Sequence, residues 1–115
     1  MKTPDAVKAL AALAQDSRLA AYRLLVEQGP AGLPAGVIAE RLDMPSATLS
    51  FHLKELANAR LVSARQDGRF VYYAANFGRM NALIGFLTEN CCQGAGCVVE
   101  CAPKPAAAKP RRVRA

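Results

Sequence analysis

Apolar side chains recur at helical spacing in several stretches of this chain, broken once by a pattern that suits strands. From Pro4 to Ala14 an alanine-rich segment of high helix propensity carries Val7, Leu10 and Leu13 on one stripe. Leu19, Tyr22, Leu25 and Val26 repeat the signal in a second helix that Asp16 or Ser17 can cap, and Gly29-Pro30 ends it after about Gln28. Pro34 suits the first turn of a third helix, Pro34 to Leu42. Asp43-Met44-Pro45 reads as a turn, and Ser46 opens a fourth helix through Ala59, with Leu49, Leu53 and Leu56 as its buried stripe. Two helices joined so tightly predict a helix-turn-helix. Leu61 to Gln66 and Arg69 to Ala74 then flank Asp67-Gly68, a hairpin turn signal because both central positions want positive φ. Met80, Leu83, Ile84 and Leu87 place a last helix from about Phe77 to Asn90. The expected fold is mainly α with a β-hairpin wing: a winged helix-turn-helix.

Size and charge narrow this picture. With 115 residues the chain makes one domain with a modest core, so a partner chain is expected to add to its stability. Charges interrupt every apolar run well before the roughly 20 residues that would cross a bilayer. Met1-Lys2-Thr3-Pro4-Asp5 holds no apolar signal region, and a cytosolic protein without membrane contact is expected. The net charge of +6 comes largely from Lys104, Lys109, Arg111, Arg112 and Arg114. Residues 1–103 hold ten basic and nine acidic side chains, so a basic footprint must arise from arrangement, not total charge. The prolines and alanines of residues 102–115 offer nothing for a core, and a disordered basic tail is expected there.

The Ser46 helix carries the reading surface. At about 100° per residue, Ala47, Phe51, Lys54 and Asn58 fall opposite the leucine stripe, with Thr48 and Ser50 on the flanks and Ser46 at the start. Hydroxyls and Lys54 suit phosphates or base edges in a major groove, and Phe51 suits a thymine methyl. Arg65 and Arg69, near the hairpin tip, are placed for backbone or minor-groove contact. Any amphipathic helix shows polar residues to water; it is the order, helix-turn-helix then charged hairpin, that points to DNA. His52 falls beside the leucine stripe, where a structural or phosphate-contacting role fits better than a metal or catalytic one.

Cys91, Cys92, Cys97 and Cys101 lie together near the C-terminus, across a loop made pliant by Gly94 and Gly96. Such thiols in a reducing compartment suit a soft ion better than a disulfide framework. Three sulfurs satisfy trivalent arsenic or antimony, for which Cys91, Cys92 and Cys97 suffice, and Cys101 can replace Cys97 across a longer loop. Four would satisfy zinc, and oxidation of two thiols would make a redox switch. A metal-buffering protein could carry the same thiols without a winged helix. An enzyme is not expected, because a cysteine nucleophile lacks acid–base partners when His52 is the one histidine and sits in the presumed reading helix.

Ile38-Ala39-Glu40-Arg41-Leu42, Pro45 through Leu56, Leu61-Val62, Gly68-Arg69 and Val71-Tyr72-Tyr73, with Asp16-Ser17-Arg18-Leu19 upstream, resemble the ArsR/SmtB family of winged-helix, metal-responsive repressors over roughly residues 4–90. The resemblance implies a homodimer packed through its first and last helices, which binds operator DNA without a cofactor until a metal or metalloid arrives. It divides the chain into a DNA-binding and dimerisation domain, residues 1–90, an inducer-binding segment, residues 91–101, and the tail. Two departures matter. Arg60 stands where the family commonly has glycine, at a cost on the order of 1 kcal/mol if that residue is left-handed. Val37 to Leu42 contains no cysteine, so the family's paired-cysteine arsenic site is absent, and the last helix lacks the Asp and His ligands of the zinc sensors. Family members with cysteine pairs at the end of the last helix look like As(III)/Sb(III) sensors, which makes As(III) or Sb(III) the expected inducer, with another soft metal or thiol oxidation as alternatives.

Overall fold

Alanines, not larger side chains, decide how the first helix packs. In the computed structural model, which describes residues 1–91, α1 (Thr3–Leu13) buries Ala6, Ala9 and Ala12 and leaves Val7 58% and Leu10 43% exposed. Of the expected Val7, Leu10, Leu13 stripe only Leu13 packs against the core; methyl-sized side chains let α1 lie close on its neighbours, and Val7 and Leu10 turn away. Gln15, extended at φ −152°, caps α2 (Asp16–Gln28) by accepting the Arg18 amide at 2.9 Å. Asp16 and Ser17 fall inside the first turn instead of capping it, where the Asp16 carboxylate complements the helix dipole. Gly29, at φ 89°, ends α2 as its sequence suggests.

A strand that the sequence did not announce follows. β1 (Leu33–Pro34) pairs antiparallel with β3 (Phe70–Ala75), Leu33 opposite Tyr73 and Pro34 opposite Tyr72. Two residues carry no readable periodicity, and an edge position tolerates the missing proline N–H. Gly32, at φ 72°, makes this pairing possible, because a Cβ there would collide with the Tyr73 carbonyl oxygen. Pro34 consequently precedes α3 (Ala35–Arg41) as its N-cap and does not occupy its first turn.

α3 and α4 (Ser46–Asn58) form the helix-turn-helix, and both end in the same way. At the end of α3, Asp43 adopts φ 52°, its amide bonds to the Glu40 carbonyl at 3.2 Å, and the Met44 amide reaches Ala39 at 2.9 Å. Past α4, Arg60 adopts φ 64°, its amide bonds to Ala57 at 2.9 Å, and the Leu61 amide reaches Leu56 at 3.0 Å. Each is a Schellman motif with a non-glycine residue at the left-handed position. Leu25 of α2, Ile38 of α3, Leu49, Leu53 and Leu56 of α4, and Leu61 are fully buried and form the centre of the core.

The hairpin pairs β2 (Val62–Asp67) with β3, giving the strand order β1-β3-β2. Asp67 pairs with Phe70, so the two-residue turn is Gly68-Arg69, one position later than expected. Gly68 alone takes positive φ, at 67°, which suits a II′ turn with glycine first. α5 (Phe77–Leu87) ends before Asn90; residues 88–90 form a turn in which Asn90 adopts φ 59°. Of its apolar stripe only Leu83 is buried, with Ile84 52% and Leu87 56% exposed. Cys92, Cys97, Cys101 and the basic tail lie outside the described residues.

Candidate nucleic-acid interface

The leucine stripe of α4 fixes what the helix shows to solvent. With Leu49, Leu53 and Leu56 pointing inward, Ser46, Ala47, Thr48, Ser50, Phe51, Lys54 and Asn58 are all exposed. Phe51 is 57% exposed, an apolar ring set within an otherwise small and polar face. The helix starts at Pro45, so its first amides carry the positive end of the dipole and suit an anion.

On the hairpin, Arg65 and Arg69 are both exposed. Arg65 lies opposite Tyr72 in the ladder, and its guanidinium carbon sits 4.8 Å from the centre of that ring. This cation–π contact holds the side chain along the strand. Arg69 occupies the second central position of the turn, at the tip, beside Phe70, which is 59% exposed. Sequence reasoning passed over Phe70, although an aromatic residue next to a turn arginine was there to be noticed.

His52 faces the other way. It is 8% exposed, and its Nδ1 lies 3.3 Å from Nη1 of Arg18. The same guanidinium donates from Nε to the Ala12 carbonyl at 2.7 Å. Burial thus gives His52 a place in the packing of the helices, away from the exposed face. Arg18 was passed over as well: its segment was noted, but nothing local announces contacts with residues 12 and 52. Asn76 is a third such residue. It caps α5 by accepting the Arg79 amide at 3.1 Å, donates from Nδ2 to the Arg60 carbonyl at 3.0 Å, and gives its own amide to Leu61 at 2.8 Å.

Of the cysteines, Cys91 is described: it is exposed, and its amide bonds to the Thr88 carbonyl at 3.0 Å. Among the described residues no three His, Cys, Asp or Glu side chains gather to hold a metal ion. No helix among them is long and apolar enough to cross a membrane.

A helix-turn-helix with an outward-facing second helix, followed by an antiparallel hairpin, is a winged helix-turn-helix, an architecture of DNA-binding regulators and not of enzymes. Residues 13–63 match the family described as helix-turn-helix domain. The nodulation protein NolR of Rhizobium meliloti is 30% identical over 80 residues, spanning 70% of this chain and 63% of that protein's length. Among solved structures, NolR from Sinorhizobium fredii is 30% identical with a TM-score of 0.60, over 75% of this chain and 83% of that one. A homodimeric winged helix-turn-helix DNA-binding domain from Mycobacterium bovis, described as a possible ArsR-family transcriptional regulator, is 28% identical with a TM-score of 0.61, over 79% of this chain and 84% of that one. The chain shares the winged helix-turn-helix fold of these DNA-binding regulators, and it spans less than two thirds of the length of the curated relative it matches.

Proposed function

We propose that this chain is a homodimeric transcriptional repressor that binds operator DNA and releases it when trivalent arsenic or antimony is taken up by thiolates of the cysteine segment. The observation that carries the reading is that an exposed apolar face and the first cysteine share one helix end: Ile84 and Leu87 are exposed on α5, and Cys91 follows four residues after its last turn. Together with exposed Val7 and Leu10 on α1, which packs against α5, they make the surface through which two copies join. Ser46, Thr48, Ser50, Phe51 and Lys54 then read the major groove, while Arg65 and Arg69 contact the DNA beside it. The buried His52 supports the fold of this surface.

Adjacent thiols in a continuous helix would point about 100° apart. The left-handed Asn90 before Cys91 supports convergence, because the helix has already ended where the thiols begin. Soft thiolate sulfur suits As(III) and Sb(III), with Cys91 and Cys92 as the pair and Cys97 or Cys101 as the third ligand. Binding there reorganises the end of the dimerisation helix and alters the spacing of the two reading heads. Two-fold readers need half-sites about 34 Å apart or a multiple of that distance, so a shift of a few ångströms breaks simultaneous engagement.

The test is a DNA-release titration with arsenite, antimonite, zinc, cadmium and hydrogen peroxide, on wild type and on Cys97→Ser and Cys101→Ser. Release at the lowest concentrations of arsenite or antimonite, lost in one serine variant, is expected. Release by zinc, cadmium or peroxide alone would reject the arsenic and antimony assignment.

A further inference from the structure

Arg18 is a half-buried guanidinium with no carboxylate within 4 Å among the described residues. Its charge is spent on two acceptors instead. Nε donates to Ala12 in the last turn of α1, where the helix leaves its carbonyls without partners, and Nη1 lies 3.3 Å from His52 Nδ1 in the middle of α4. Guanidinium has donors only, so the contact with His52 needs a lone pair on Nδ1. That specifies the neutral imidazole with its proton on Nε2. A proton on Nδ1 would remove the acceptor and face one cation with another. The His52 ring also meets the exposed Phe51 edge-on at 5.6 Å, so its position bears directly on the reading surface.

Resting on the operator-binding reading above, we propose that Arg18 and His52 form a positioning contact that sets α4 against α1, and that it holds only while His52 is neutral, so that operator affinity falls as His52 takes up a proton. The surrounding charges leave that switch intact. Lys8 of α1 lines, with Arg18, Glu55 and Asn58, a cavity of about 370 Å³ between α1 and α4. Glu55, one turn beyond His52 on α4, makes no ion pair with it, and Lys54 is exposed to solvent. Asp16, Arg23 and Glu27 of α2, Glu40 and Arg41 of α3, and Arg65 and Asp67 of β2 are exposed and make no hydrogen bond or ion pair with His52. A phosphate-contacting histidine would behave in the opposite sense, gaining affinity on protonation.

His52 is the chain's single histidine, so the part of a binding profile from about pH 8 to about pH 5.5 that His52→Gln removes is the part that belongs to this side chain, apart from the α-amino group and the thiols, which both proteins share. The measurement uses the full-length, reduced, metal-free protein and a duplex that it selects from a random-sequence pool at about pH 8, at fixed ionic strength. Wild-type affinity is expected to fall about tenfold across the window. His52→Gln, which keeps an acceptor for Arg18, is expected to bind at the upper pH and stay flat, and nitrogen NMR is expected to show Nδ1 unprotonated there. A wild-type affinity that is flat or rises on acidification, or a proton on Nδ1 at the upper pH, would overturn the proposal while leaving operator binding standing. Failure to select any duplex at the upper pH would instead overturn the operator-binding reading, and the proposal with it.

Discussion

The Tyr22 hydroxyl is buried on α2 and has no hydrogen-bond partner among the described residues. Burial pushes its phenol above the ordinary tyrosine value, because the charged form would lose its hydration. A folded-state pKa raised in this way contributes stability that is fully present below the unfolded value of about 10 and is lost as pH rises beyond it. Tyr22→Phe is therefore expected to be neutral or up to about 1 kcal/mol more stable at pH 7, and to lose less stability above about pH 10. Urea unfolding at both pH values measures this; a variant less stable by more than 1 kcal/mol would show that the hydroxyl is satisfied. Arg60 carries a different local cost, since its φ of 64° is the left-handed region that the family's glycine would occupy freely. Arg60→Gly is expected to stabilise by up to about 1 kcal/mol, and Asn76→Ala to destabilise by about 1–2 kcal/mol through loss of the α5 cap. Thermal unfolding of the two variants should therefore move in opposite directions.

The helices and the hairpin were largely legible in the sequence, and the departures have physical causes. Leu49, Leu53 and Leu56 are long side chains on a helix with one buried face, so periodicity identified them directly. On α1 the same rule chose Val7 and Leu10, yet Ala6, Ala9 and Ala12 are inside, because close packing of helices selects for small size as well as for hydrophobicity. β1 was invisible, being two residues that exist as a strand only because β3 lies beside Gly32. The Arg18–His52 contact joins residues 34 positions apart, which no local pattern reports. On α4 the exposed face was readable because it is the complement of the leucine stripe. Lys54→Ala is expected to weaken binding to all duplexes alike and to lower the salt slope by about 1. Phe51→Ala is expected to reduce sequence preference, and a salt titration on matched and scrambled duplexes separates the two effects.

Assembly decides whether these parts make a regulator. Val7 and Leu10 on α1, with Ile84 and Leu87 on α5, are four of the nine large apolar side chains exposed among the described residues, and a second copy covers them in the proposed dimer. Leu10→Glu with Ile84→Glu is expected to yield monomers in light scattering and at least a tenfold loss of operator affinity. Dimers that persist unchanged would place the interface elsewhere. In the proposed mechanism the reading heads, the dimer face and the thiols form one series, in which the ion acts on the helix end that the dimer depends on. The most direct measurement titrates arsenite into the preformed, reduced protein–operator complex while following bound DNA and bound arsenic in the same samples. Release that completes near one As(III) per protomer, and disappears in a Cys91→Ser/Cys92→Ser variant that still binds DNA, is the predicted result. Stoichiometric arsenic uptake with the DNA still bound would contradict it.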